Sequence, residues 1–214
     1  MDVNVVYNED CLTGLKKLPD NCIDCCVTSP PYYALRDYQV EGQIGLEDSP
    51  TEYVDKLTEV FAEVFRVLKP EGTLWLNLGD SYAGSGKGAA KYPDNAKKYK
   101  QGSNRGTVGN NTSYKYITNC KDKDLIGIPW LVAFALRDKV GYYLRQDIIW
   151  SKNNPLPESV VDRCTKSHEY IFLMSKSKKY YFDQESIQEV ATGYDGRKDI
   201  MMHGSPKYNI ISVM

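Results

Sequence analysis

At 214 residues, 42% hydrophobic and 26% charged, the chain can bury one α/β-sized core, and none of its apolar runs reaches membrane-spanning length. Residue 2 is Asp and no basic leader opens the chain, so no signal peptide is read and a cytoplasmic setting with no membrane partner is expected. The net charge of −1 speaks against a generally cationic protein, but residues 1–86 carry 15 acidic and 6 basic side chains while residues 87–123 carry 9 basic and 2 acidic.

In chain order, Val3–Tyr7 reads as a short strand running into Asn8-Glu9-Asp10, with a helix at about Leu12–Leu18. A carboxylate just past a strand's carboxyl end sits where open α/β sheets bind ligands, and Asp10 is equally well placed to cap the helix. A second strand, β-branched and Cys-rich, starts at Cys22 and reads as buried. Cys22 and Cys25 form a lone C-x-x-C with no second pair, and the only histidines are His168 and His203, so reduced core thiols are expected and no metal site is assigned.

That strand stops at Thr28-Ser29-Pro30-Pro31-Tyr32. Neither proline has an N–H to pair with a neighbour, and each pushes the preceding residue into an extended conformation. The result is a rigid elbow offering the carbonyls of Ser29 and Pro30, a Ser29 hydroxyl able to donate or accept, and the ring of Tyr32. Acceptors beside a stacking ring suit a planar base bearing an amino group, cytosine or adenine, drawn out of a duplex.

Ala34–Asp48 lacks periodicity and reads as a mobile loop over that pocket. Then Ser49 caps a helix with Pro50 at its first position and Glu52 completing a capping box; Tyr53, Val54, Leu57, Val60, Phe61, Val64, Phe65 and Leu68 form its apolar face, and Pro70 and Gly72 stop it. Thr73–Leu78 is a strand, with Gly79-Asp80-Ser81-Tyr82 at its carboxyl end; Asp80 could position a bound base or close a turn.

Residues 83–124 are polar and rich in Gly, Asn, Lys and Tyr. Gly84-Ser-Gly-Lys-Gly88 fails as a phosphate loop, because Lys87 is followed by Gly rather than Ser or Thr. Lys87, Lys91, Lys97, Lys98, Lys100 and Arg105, interleaved with tyrosines, suit a DNA backbone, and the same composition suits a solvated loop that orders on binding. Further on come a helix over Pro129–Lys139, a strand over Tyr142–Trp150, a strand over Ile171–Ser175 and a short strand at Tyr180–Asp183. His168 reads as a loop residue rather than a general base, and residues 184–214 carry no firm pattern.

Thr28-Ser-Pro-Pro-Tyr-Tyr-Ala-Leu-Arg-Asp-Tyr38 resembles the catalytic motif of the amino-methylating DNA methyltransferases, the N4-cytosine and N6-adenine family. The Ser-Pro-Pro-Tyr form is commoner in its N4-cytosine members. The Trp150-Ser-Lys-Asn-Asn-Pro run and Ser167-His-Glu-Tyr170 are similar to the family too, and in patches the resemblance covers residues 3–183. It implies a Rossmann-like α/β methyltransferase sheet, mostly parallel with an antiparallel pair near Tyr142–Ser175, and S-adenosylmethionine as cofactor. Ser29, Pro30, Pro31 and Tyr32 would be catalytic, Asp10 would lie near the adenosine, Asp80 near the target base, and double-stranded DNA would be the partner.

Residues 1–183 are thus expected to form a catalytic-half domain with a basic insertion at 83–124, and 184–214 a recognition or connecting segment. One departure is large: the family's Phe-x-Gly-x-Gly cofactor loop is missing before Met214. The expectation is an incomplete methyltransferase, with an open edge beside the elbow strand and a second polypeptide or further segment supplying the loop. N6-adenine methylation, and a non-catalytic DNA-binding or regulatory fragment, stand as alternatives.

Overall fold

The computed structural model describes residues 4–83, 120–155, 157–158 and 160–187. The chain divides into two compact units, residues 1–180 and 181–214. In the second, the described residues form one 3₁₀ turn, Glu185–Ile187, with Asp183 accepting from the backbone N–H and hydroxyl of Ser186.

The first unit is built from α1 (Cys11–Lys16), β1 (Ile23–Thr28), α2 (Pro50–Val67), β2 (Leu68–Leu78), α3 (Ile128–Ala135), β3 (Tyr143–Ser151) and β4 (His168–Ser175). A π-helical turn, Leu136–Val140, continues α3 and ends on Gly141 at φ 100°, the left-handed conformation that glycine adopts without strain. The four strands are ordered β1-β2-β4-β3. Among the described strands only β1 and β2 pair in parallel, and β4 runs antiparallel to both its neighbours. The expected antiparallel pair is present, but the described sheet is mixed rather than mainly parallel.

α2 forms where its caps require it. Ser49 accepts from the Glu52 N–H at 3.2 Å, and Glu52 reaches back to the N–H of Asp48, one residue short of a standard capping box. Its apolar face packs Leu57, Phe61 and Val64 against Leu74, Leu76 and Leu78 of β2 and against Ile128 and Val132 of α3, all buried. Two buried tyrosines find backbone partners: Tyr142 donates to the Phe61 carbonyl at 3.0 Å and Tyr53 to the Pro31 carbonyl at 2.8 Å. The second bond ties the elbow to the core helix.

Several sequence expectations change. Residues 4–7 are exposed and form no strand, and neither do residues 180–183. With no neighbour in the sheet, a β-branched run is not enough to make a strand. β2 begins at Leu68, five residues before the expected start, because its pairing with β1 skips from Leu68 to Thr73 and leaves Pro70 in an irregularity where no ladder bond is required. β4 begins at His168, so His168 lies on a strand rather than in a loop. β1 is an edge of the described sheet and is not buried: Cys25 is exposed and Val27 is 77% exposed.

Candidate active site

Because β1 and β2 are parallel, their carboxyl ends lie together. Thr28 pairs with Leu76, which brings Ser29 beside Asn77. β4 enters next to them from the opposite direction, Leu78 pairing with Tyr170, so Glu169 arrives at the same end. β3 pairs Ser151 with His168 and delivers Lys152 there too. A cavity of about 730 Å³ opens over these ends, lined by the elbow residues 29–32, by Leu35, Arg36 and Tyr38 of the following loop, and by Gly79, Asp80, Lys152, Lys166, His168 and Glu169. The expectation that the elbow and Asp80 share one sheet edge holds, and the loop after the elbow does lie along the pocket.

Five side chains from four segments form one cluster joined by hydrogen bonds and an ion pair. Asn77 Nδ2 donates to the Tyr170 carbonyl at 3.2 Å, which fixes the amide so that Oδ1 faces the hydroxyls. Oδ1 lies 2.6 Å from the Tyr32 hydroxyl and 3.1 Å from Ser29 Oγ. The Tyr32 hydroxyl also lies 2.8 Å from Glu169 Oε2 and 3.3 Å from Ser29 Oγ. Glu169 Oε1 is ion-paired to Lys152 Nζ. Burial pushes the Glu169 carboxyl up, but the bonds from Lys152 and Tyr32 outweigh it and hold it below its usual range. Burial also drives the Tyr32 phenol well above its ordinary value, so it stays protonated.

The ring of Tyr32 packs so closely on Gly79 that a Cβ built there would lie 2.6 Å from Cε2. The ring is therefore pinned by its hydroxyl and by the backbone beneath it. Asp80, expected near the target base, lines the cavity, but its Oδ1 accepts from the backbone N–H groups of Ser81, Gly127 and Ile128 at 2.8–3.0 Å. It thus caps α3 from a distant segment, a task the helix's own N-cap Gly127 has no side chain to perform. Lys166 brings a buried ammonium with no hydrogen-bond partner among the described residues, and burial lowers its pKa.

Asp10 is not among the residues that line this cavity. Its Oδ1 caps α1 by accepting from the Thr13 N–H at 2.8 Å, which holds its carboxyl below the usual range. Lys87, Lys91, Lys97, Lys98, Lys100 and Arg105 lie outside the described residues. All six cysteines are free thiols. Asn77, Lys152, Lys166 and Glu169 were not singled out by the sequence.

A family model described as DNA methylase matches residues 23–209. The chain belongs to the N6/N4 DNA methylase family. It is 50% identical over 185 residues to Type II methyltransferase M.SmaI of Serratia marcescens, an alignment covering 86% of this chain and 59% of that protein. To M.Cfr9I of Citrobacter freundii it is 46% identical over 184 residues, covering 86% of this chain and 58% of that protein. The chain thus spans somewhat under two thirds of these relatives' length. In fold it is similar to PvuII DNA methyltransferase (cytosine-N4-specific), with a TM-score of 0.54, 19% identity, and coverage of 83% of this chain and 51% of that one. It is also similar to a putative DNA modification methylase of Thermus thermophilus, solved with S-adenosyl-L-methionine, at TM-score 0.50 and 21% identity, covering 84% of this chain and 56% of that one.

Of the described glycines, only Gly79 lines the cavity. A Cβ on Gly79 would run into the Tyr32 ring, so among the described residues no glycine with an open side lines this cavity.

Proposed function

We propose that the chain carries the target-base pocket of a site-specific Type II DNA methyltransferase that moves a methyl group from S-adenosylmethionine to the exocyclic N4 amine of cytosine in double-stranded DNA. The observation that carries the reading is the polarity of Ser29. With the Asn77 amide fixed by Tyr170, the acceptor nearest the serine hydrogen inside the cluster is Asn77 Oδ1, so the lone pairs of Ser29 are left for the cavity. A hydroxyl presenting lone pairs suits an N–H donor, and an amine is what the reaction needs.

The amine of cytosine is a poor nucleophile because its lone pair is delocalised into the ring. Hydrogen bonds accepted by Ser29 and by the Pro30 carbonyl favour a more pyramidal nitrogen. Pro30 and Pro31 keep the elbow rigid, and Tyr32, pinned over Gly79, offers its other face to the flipped base. Much of the acceleration comes from holding the nitrogen in line with the methyl group it attacks. Asp80 borders the base through the backbone that it caps, and Asp10 is assigned to the adenosine side. Lys87, Lys91, Lys97, Lys98, Lys100 and Arg105 are assigned to phosphates, which makes DNA affinity fall steeply with salt. A glycine-rich cofactor loop comes from a further segment or a second polypeptide.

The test is mass spectrometry of nucleosides from DNA treated with this chain and a segment carrying that loop. N4-methylcytosine is the expected product. N6-methyladenine alone would move the assignment to adenine, and no methylated base would favour a non-catalytic DNA-binding role. Ser29→Ala is expected to lower turnover far more than DNA affinity; equal losses would remove its chemical role.

A further inference from the structure

The cluster behind Ser29 has more short contacts than hydrogens. Ser29 and Tyr32 contribute two hydroxyl hydrogens. Asn77 Oδ1 to Tyr32, Asn77 Oδ1 to Ser29, and Glu169 Oε2 to Tyr32 make three O···O approaches of 2.6, 3.1 and 2.8 Å. Ser29 donates to Asn77, so Tyr32 can donate to Asn77 or to Glu169, but not to both. With Glu169 ionised, Tyr32 donates to it, as a charged acceptor draws the stronger bond. A proton added to Glu169 would donate to Tyr32, whose own hydrogen would then swing to Asn77 Oδ1. All three contacts would be satisfied with no heavy atom displaced.

We propose that Glu169 takes up the proton that the target amine must shed, received through the hydroxyls of Tyr32 and Ser29. The inference rests on the methyl-transfer reading above. Once the amine nitrogen has gained its methyl group it bears a positive charge and must lose a hydrogen. That N–H bond breaks as the Ser29 oxygen gains a proton. The former Ser29 hydrogen turns from Asn77 to the Tyr32 oxygen 3.3 Å away and passes to it, and the former Tyr32 hydrogen passes across 2.8 Å to Glu169 Oε2. One N–H and one carboxylate become one neutral amine and one carboxylic acid, and both hydroxyls are regenerated.

A carboxylate held below its usual range is a weak base, but the methylated exocyclic nitrogen is a strong acid because losing the proton restores delocalisation into the ring. The groups that face Glu169 are Lys152 after β3, Tyr32 after β1, Asn77 on β2 and Lys166 before β4. Glu169 itself lines the cavity, so its proton is lost to water there, and the Lys152 ammonium paired to the other carboxylate oxygen favours that return to the ionised form.

Two measurements test this. In the 214-residue chain carrying ¹³C-labelled tyrosine, the Tyr32 ring resonance should follow an acid-side titration that vanishes in Glu169→Gln, an isosteric change that accepts a hydrogen bond but no proton. In the methylating assembly, Glu169→Gln should slow single-turnover transfer by about tenfold or more, with DNA and cofactor affinities within about twofold. Wild-type transfer should fall as pH drops through the titration seen for Tyr32, and Glu169→Gln should lose that acid limb. Tyr32→Phe, which breaks the path but leaves the carboxylate, should slow transfer comparably, and the double variant should be no slower than either single one. A Tyr32 resonance indifferent to Glu169, a Glu169→Gln rate near wild type, or an acid limb surviving in Glu169→Gln would each overturn the proposal. If the resonance follows Glu169 but the wild-type assembly transfers no methyl group, the methyl-transfer reading fails and the proton route falls with it, leaving only the proton-loading cluster.

Discussion

Gly79 and Asp80 are adjacent residues held by different physics. Gly79 is small because the Tyr32 ring occupies the space where a side chain would begin, 2.6 Å from a built Cβ. Backbone and a pinned ring cannot both yield, so Gly79→Ala is expected to destabilise the fold by about 1–3 kcal/mol and to tilt the ring. Chemical denaturation gives the first quantity and the Tyr32 ring resonance the second; an unchanged resonance would show that the ring is not seated there. Asp80→Ala removes the acceptor for the N–H groups of Ser81, Gly127 and Ile128, and should cost about 1 kcal/mol, with Asp80→Asn milder. A stability change confined to Asp80→Ala with base binding intact would reduce its role to the cap. The elbow itself was legible in the sequence, because proline geometry and an adjacent ring act within five residues. Asn77 and Glu169 were not: they meet Tyr32 across 45 and 137 residues, and only the strand register joins them. The available signals were faint, a polar residue within the apolar run Leu74–Leu78 and an acid at the head of an apolar strand.

At the scale of elements, local rules read α2 nearly to the residue, because its caps and apolar stripe are written in consecutive positions. They failed where pairing decides. Pro70 looked like a helix stop followed by a gap, yet β2 runs through it because its partner strand skips those residues. α1 depends on a contact no local rule contains. Arg66 of α2 donates to the carbonyls of Leu15 and Leu18, both at 2.9 Å, and to the carboxylates of Asp20 and Glu63. These carbonyls lie in the last turn of α1 and just past it, the positions that lack intrahelical partners. Arg66→Ala should therefore raise hydrogen exchange in α1 well before it changes exchange in β2 and β4. Equal loosening of helix and sheet would mean that α1 opens only with the whole unit.

For the molecule as a whole, the division of labour lies between the pocket and the cofactor. On the proposed methyl-transfer reading, a pocket for an amine needs acceptors and a seated ring, and residues 29–32, 77 and 169 would supply both at the carboxyl ends of β1 and β2. A sulfonium cofactor lying across strand ends needs a turn where the backbone comes close, and such a turn is made by glycines whose open side faces the ligand. Among the described residues the close-packed glycines face the chain's own Tyr32 ring, Tyr32 carbonyl and Lys69 carbonyl instead. β1 meanwhile stands at the edge of the described sheet, with Val27 77% exposed, which is where a further strand and its turn could be received. The chain spans 58–59% of M.Cfr9I and M.SmaI. Residues 1–214 alone are therefore expected to bind S-adenosylmethionine weakly or not at all in calorimetry and to transfer no methyl group. Adding a segment that carries the glycine-rich loop should restore both and protect the outer edge of β1 from hydrogen exchange. Micromolar binding and unaided methylation by the 214-residue chain would overturn this.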